Sequence, residues 1–344
     1  MKTQRLIELD ALRGLAALAV VCFHYFYRYN GIYGHDNLTV GWSSLGSLGV
    51  ELFFMVSGFV IFWTLNRAEK PLDFVVSRFS RLYPAYWCAL LITFIVVLAC
   101  GLPGREVALF DALANILMFQ EYFNIPHVDG VYWTLTVELA FYFWMFVFYL
   151  RSGLKIVERV FALIIAFSIL HSLGVLEIPA LMYKILIMKY LPFFTAGICF
   201  FKIINEDGNI KISIAILLFS LLSTAAIYSF MLFLIFSIFY MVFYLALSGR
   251  LRFLCFKPFV FMGGISYSLY LIHQNIGYVI INKFYEMSWD PLIGIFASMI
   301  LCIILAALMS KLIETPSLKY IRNSYSTNKK MQRLAKNLTF FSNH

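Results

Sequence analysis

Long apolar stretches recur along this chain, separated by short polar or Gly/Pro-containing connections. Windows of about 20 mostly apolar residues, the length that crosses a bilayer, fall near 11–29, 45–65, 83–100, 131–150, 157–175, 184–203, 211–228, 230–248, 259–282 and 291–313. The pattern predicts an all-α, polytopic membrane protein of about ten transmembrane helices. Segment 211–248 runs apolar almost without a break, and its length alone divides it, with a tight turn expected near Tyr228–Ser229. The longest connection, 101–130, contains Pro103, Gly104, Pro126 and Gly130 and is expected to hold a short surface helix.

Composition agrees with this reading. The 344 residues are 62% hydrophobic and 13% charged, whereas soluble domains are about half apolar and a quarter charged. The net charge of +9 could suggest nucleic acid, but no basic stripe occurs outside the connections and the tail, so none is expected as a partner. With the amino terminus inside, the 27 Lys and Arg residues sort to the inner side, Lys2, Arg5 and Arg13 among them, except for Arg28, Arg105, Lys184, Lys189 and Lys283. That bias places both termini in the cytoplasm, and an odd number of spans would destroy it. Glu8, Asp10 and Arg13 ahead of the first apolar run, and His24 inside it, argue for a retained first helix rather than a cleaved signal. The chain divides into a membrane domain, 1–316, and a basic cytoplasmic tail, 317–344, whose Lys329, Lys330, Arg333 and Lys336 suit contact with anionic lipid. The six cysteines show neither C-x-x-C nor zinc spacing, so no metal or disulfide framework is expected.

Titratable residues inside spans are costly and mark candidate sites. Arg13 and His24 are eleven residues apart, which places them on one face of the first helix ~16 Å apart. Glu51, Glu138 and His273 reach a depth similar to that of His24 when the alternating helix directions are followed, and such a layer could assemble acid–base chemistry or a proton relay. Thr134, Glu138 and Tyr142 form a polar stripe on the fourth span. Ser266, Tyr270 and His273 form one on the ninth, after Gly263-Gly264, and either stripe could equally be a helix–helix hydrogen bond. Lys189 in the sixth span reads as a snorkelling or paired lysine. Arg78 and Arg81, three apart at a helix start, can fork onto phosphate oxygens, although the positive-inside bias alone would also account for them.

Taken together these residues resemble the acyltransferase-3 family of membrane-bound acyltransferases. The similarity rests on Arg13-x10-His24, on Phe53-Phe54-x-x-Ser57-Gly58 and on Arg78-x-x-Arg81. It continues with Trp133-Thr134-Leu135-x-x-Glu138, Ser266-Tyr267-x-x-Tyr270-x-x-His273 and Glu314-x-Pro316, in order along the chain. The resemblance implies helices around a central cavity in a bacterial inner membrane. It also implies transfer of an acetyl or other small acyl group from cytoplasmic acyl-CoA to a sugar hydroxyl of a surface glycan or glycolipid such as O-antigen or exopolysaccharide. Some relatives append an SGNH hydrolase-like domain, and none is read in these residues. On this reading His24 is the general base and Glu138 its orienting carboxylate, with Glu51, Tyr270 and His273 in support. Ser57 is a packing residue or an acyl acceptor, and Arg78, Arg81 and Arg13 hold acyl-CoA. A proton-coupled glycan or lipid transporter is the competing class.

Overall fold

The protein is described by a computed structural model covering residues 7–35, 38 and 40–340, the side chains of 334 and 336–340 excepted. Lys2, Arg5 and the Lys336 side chain therefore lie outside the described residues. Among these residues every regular element is helical. The principal helices are α1 (Ile7–Cys22), α2 (Gly49–Asn66), α3 (Pro71–Cys100), α4 (Trp133–Leu150), α5 (Val157–Ser172), α6 (Leu191–Ile204), α7 (Ile210–Ile227), α8 (Phe230–Leu247), α9 (Lys257–Glu286), α10 (Pro291–Met309), α11 (Thr315–Thr327) and α12 (Lys329–Phe340).

Local sequence sets their starts. Asn209, Ser229 and Asp290 each accept main-chain N–H groups as N-caps of α7, α8 and α10, supplying acceptors that a first helical turn lacks. Pro71 opens α3, where its missing N–H is not needed, and the Asp73 carboxylate accepts from the Lys70 N–H at 3.1 Å. Ser229 is also where the apolar 38-residue stretch breaks into α7 and α8. Within the 101–130 connection a short helix occupies Leu109–Ala114.

Among the described residues, seven helical runs are long and apolar enough to cross a membrane: Ile7–Tyr33, Gly41–Asn66, Pro71–Cys100, Gly130–Leu150, Ile210–Ile227, Phe230–Leu247 and Pro291–Thr327. The ten expected windows all coincide with helices, but three miss that standard. Helices α5 and α6 have 16 and 14 residues, and α9, at 30 residues, is too polar. Length and composition by themselves thus show seven candidate spans among the described residues and leave α5, α6 and α9 unassigned as crossings.

The helices sort into centre and rim. The apolar window of the α2 run is 72% buried inside the protein, against 22% for α7 and for α8, so α2 is central while α7 and α8 turn apolar faces outward. Lipid does not drive apolar helices together as water would, so close packing of small residues holds the centre. A Cβ on Gly263 of α9 would sit 1.9 Å from the Asp10 carbonyl oxygen, and one on Gly14 of α1 2.7 Å from the Gly263 nitrogen. Gly58 of α2 and Gly197 of α6 mesh likewise, each with 2.2 Å to a facing carbonyl oxygen. Two helices then change pitch. Helix α1 continues as a π-helix over Phe23–Arg28, and α10 as one over Ser310–Glu314 that runs directly into α11.

Candidate active site

The first π-helical segment carries His24. There the chain takes more residues per turn than an α-helix, a feature found often at functional sites, and the turn brings His24 against His273 of α9, with Nδ1 3.0 Å from His273 Nε2. The tautomers follow from the main-chain partners. His273 Nδ1 faces the carbonyls of Tyr270 (2.9 Å) and Leu269 (3.2 Å). Carbonyls only accept, so His273 is protonated on Nδ1 and its Nε2 offers a lone pair. That lone pair receives the proton of His24 Nδ1–H, which also points at the Val20 carbonyl at 2.9 Å. The remaining lone pair of the pair is on His24 Nε2, where a general base carries it. His273 is fully buried, and the Tyr25 hydroxyl donates to its carbonyl at 2.7 Å.

Near this pair, with neither histidine among its lining residues, lies a cavity of about 540 Å³, within the size range of small-molecule sites. Along α2 its lining runs from Val50 to Trp63, ~20 Å at 1.5 Å per residue. Phe53, Thr134 and Tyr270 line the end near the histidines, the Tyr270 ring lying 5.7 Å from that of His273. Arg13, Arg78, Arg81 and Arg322 also line it. Two of these are compensated: Arg81 pairs with buried Glu314 at 3.1 Å, and Arg13 approaches Asp10 at 4.0 Å. Glu314 is positioned by the second π-helical segment and accepts from the Ser268 hydroxyl at 2.8 Å.

The other expected residues divide. Glu138 lines the cavity, held by the hydroxyls of Ser57, at 3.0 Å, and Tyr142. Ser57 lines it too, with its hydrogen donated to Glu138. Tyr270 and Thr134 share a hydrogen bond of 2.9 Å. The carboxylate expected to orient His24 is not its partner here, since a second imidazole fills that position and the Glu138 hydrogen bonds lie within the cavity wall. Glu51 is buried outside the cavity lining, within electrostatic range of Lys189, and its Oε2 has no hydrogen-bond partner. Lys189 lies over the rings of Tyr190 and Tyr228. Sequence reasoning missed Arg322, which it assigned to the tail, and with it Ser77 and Ser80 of α3, the serines that Arg322 touches. A single arginine six residues beyond Pro316, after an unbroken apolar helix, was the available signal.

The chain belongs to the acyltransferase-3 family, whose model, described as an acyltransferase domain, matches residues 6–311. Among curated proteins it is similar to the acyltransferase MdmB of Streptomyces mycarofaciens, 31% identical over 150 residues, 40% of this chain and 38% of that protein. It is also similar to the peptidoglycan O-acetyltransferase OatA of Listeria monocytogenes, 26% identical over 153 residues covering 39% of this chain and 22% of the relative. The O-acetyltransferase OatA of Staphylococcus aureus is 26% identical over 357 aligned positions, 90% of this chain and 56% of that protein. The chain therefore spans less than two thirds of these relatives' own length. No solved structure gives a significant match.

Proposed function

We propose that this protein transfers an acyl group, most simply acetyl, from a coenzyme A thioester to a hydroxyl of a surface saccharide. Two observations carry the reading: the tautomer of His24, which leaves its Nε2 lone pair free, and a long cavity that four arginines line and that extends to Tyr270, whose ring lies 5.7 Å from that of His273. The nucleotide phosphates of the donor take the guanidinium side and the pantetheine arm runs up the cavity toward Tyr270. Both chain termini and the arginine side are cytoplasmic on this reading, and the acceptor reaches His24 from the opposite face. The two named relatives that are O-acetyltransferases, one of them acting on peptidoglycan, support the acceptor class.

In the reaction His24 Nε2 takes the proton of the acceptor hydroxyl as its oxygen attacks the thioester carbonyl. The tetrahedral intermediate collapses with cleavage of the C–S bond, and the leaving thiolate takes the proton from the imidazolium, giving an ester and free coenzyme A. His24 Nδ1–H keeps its two acceptors throughout, which orient the ring and stabilise its transient charge. Proton-coupled transport fits the geometry less well, because His273 Nδ1 faces two carbonyls that cannot pass a proton onward.

Incubating purified protein with labelled acetyl-CoA and a surface-glycan extract tests the reading. Labelled glycan with equimolar free coenzyme A is the expected result. Movement of glycan without thioester cleavage, or acetyl transfer undiminished in His24→Ala, would overturn it.

A further inference from the structure

Two of the four cavity arginines have no carboxylate partner among the described residues, and they meet at one hydroxyl. Arg78 Nη2 donates to Ser77 Oγ at 3.1 Å, and Arg322 Nη2 to the same oxygen at 3.0 Å, with Arg322 Nε 3.4 Å from Ser80 Oγ. Arg78 Nε is buried without any hydrogen-bond partner. Like charges drawn together around one neutral oxygen are unfavourable unless an anion completes the arrangement. They come from different elements, Arg78 from α3 and Arg322 from the exposed face of α11, at the end of the cavity remote from the histidines.

We infer that Arg78, Arg322 and Ser77 form a seat for a phosphomonoester dianion, the 3′-phosphate of coenzyme A, and so make the protein select the complete donor over its dephosphorylated form. The inference rests on the acyl-CoA reading above and adds to it a subsite. The charge match argues for the 3′-phosphate rather than the pyrophosphate. A monoester carries about −1.5 to −2 at neutral pH, matching two uncompensated guanidinium groups. Arg81 and Arg13, already partnered by Glu314 and Asp10, contribute less net charge to any second phosphate. Arg322 also makes α11 part of the site. That helix is reached without a break from α10 through the π-helical turn, so the final crossing brings its own phosphate contact.

Isothermal titration of coenzyme A and dephospho-coenzyme A into full-length protein in phosphatidylcholine nanodiscs, where no headgroup monoester competes, separates the possibilities. Charge-assisted hydrogen bonds of ordinary strength predict about a ten- to hundredfold preference for coenzyme A. Arg322→Gln should abolish that preference while leaving dephospho-coenzyme A affinity within about twofold. Arg322→Lys, which keeps charge but not the fork, should retain part of it, and an unchanged unfolding temperature shows that neither variant acts through folding. Equal affinities in the wild type, or equal losses for both ligands in Arg322→Gln, would overturn the seat while leaving the donor reading intact. Absence of binding by either ligand would remove the donor reading and the seat together.

Discussion

Replacing His273 tests how the two imidazoles divide their labour. His24 Nδ1–H has two acceptors, the Val20 carbonyl at 2.9 Å and His273 Nε2 at 3.0 Å. His273→Ala removes the second and keeps the first, so the productive tautomer of His24 survives with less support. What is lost is one hydrogen bond to the ring that becomes an imidazolium, about 1.5–3 kcal/mol for a bond to a charged group. At 1.36 kcal/mol per decade this lowers kcat by about 10- to 150-fold. His24→Ala removes the base itself, a loss of about 10²–10⁴-fold. His273→Gln, whose side-chain oxygen can take the place of Nε2 as acceptor, should recover much of the activity. The assay is release of free coenzyme A at saturating donor and acceptor, at matched protein level, with donor KM unchanged as the sign that the cavity is intact. A His273→Ala loss equal to that of His24→Ala, with no recovery in the glutamine variant, would assign His273 as the base and refute the tautomer argument.

Glu138→Gln should lower turnover more than Glu51→Gln, because Glu138 lines the cavity and Glu51 does not; the reverse order in the same assay would contradict this placement. Lys202 and Glu158, each 4% exposed and 2.6 Å apart, tie α6 to α5. Lys202→Met should cost about 3–5 kcal/mol by stranding a buried carboxylate, with Lys202→Met/Glu158→Leu recovering most of it in thermal unfolding. Gly263→Ala places a methyl group against the Asp10 carbonyl and should cost about 1–3 kcal/mol and lower activity; a wild-type unfolding temperature would show that the two helices separate freely.

The sequence made the helices legible because membrane spans announce themselves by length, and it gathered Arg13, Arg78, Arg81, Ser57, Glu138 and Tyr270 around what proves to be one cavity. Depth was readable from helix direction, whereas rotation about each axis was not. That is why Glu138, at a similar depth, looked like the partner of His24 when His273 holds the position. The π-helical segment at Phe23–Arg28 adds to the difficulty, since a pitch of 3.6 residues no longer describes the helix from His24 onward. Arg322 and Ser77 were beyond reach for another reason. Their meeting depends on α11 folding back onto α3, and it is secured by the Tyr325 hydroxyl donating to Asp73 at 2.7 Å and, from α12, by Gln332 accepting from Lys70 ahead of α3 at 2.7 Å, which no local pattern encodes.

Because Gly14 and Gly263 let two main chains touch, α1 and α9 behave as one bar, and the spacing of the imidazoles is gauged at a weld ~15 Å down each helix.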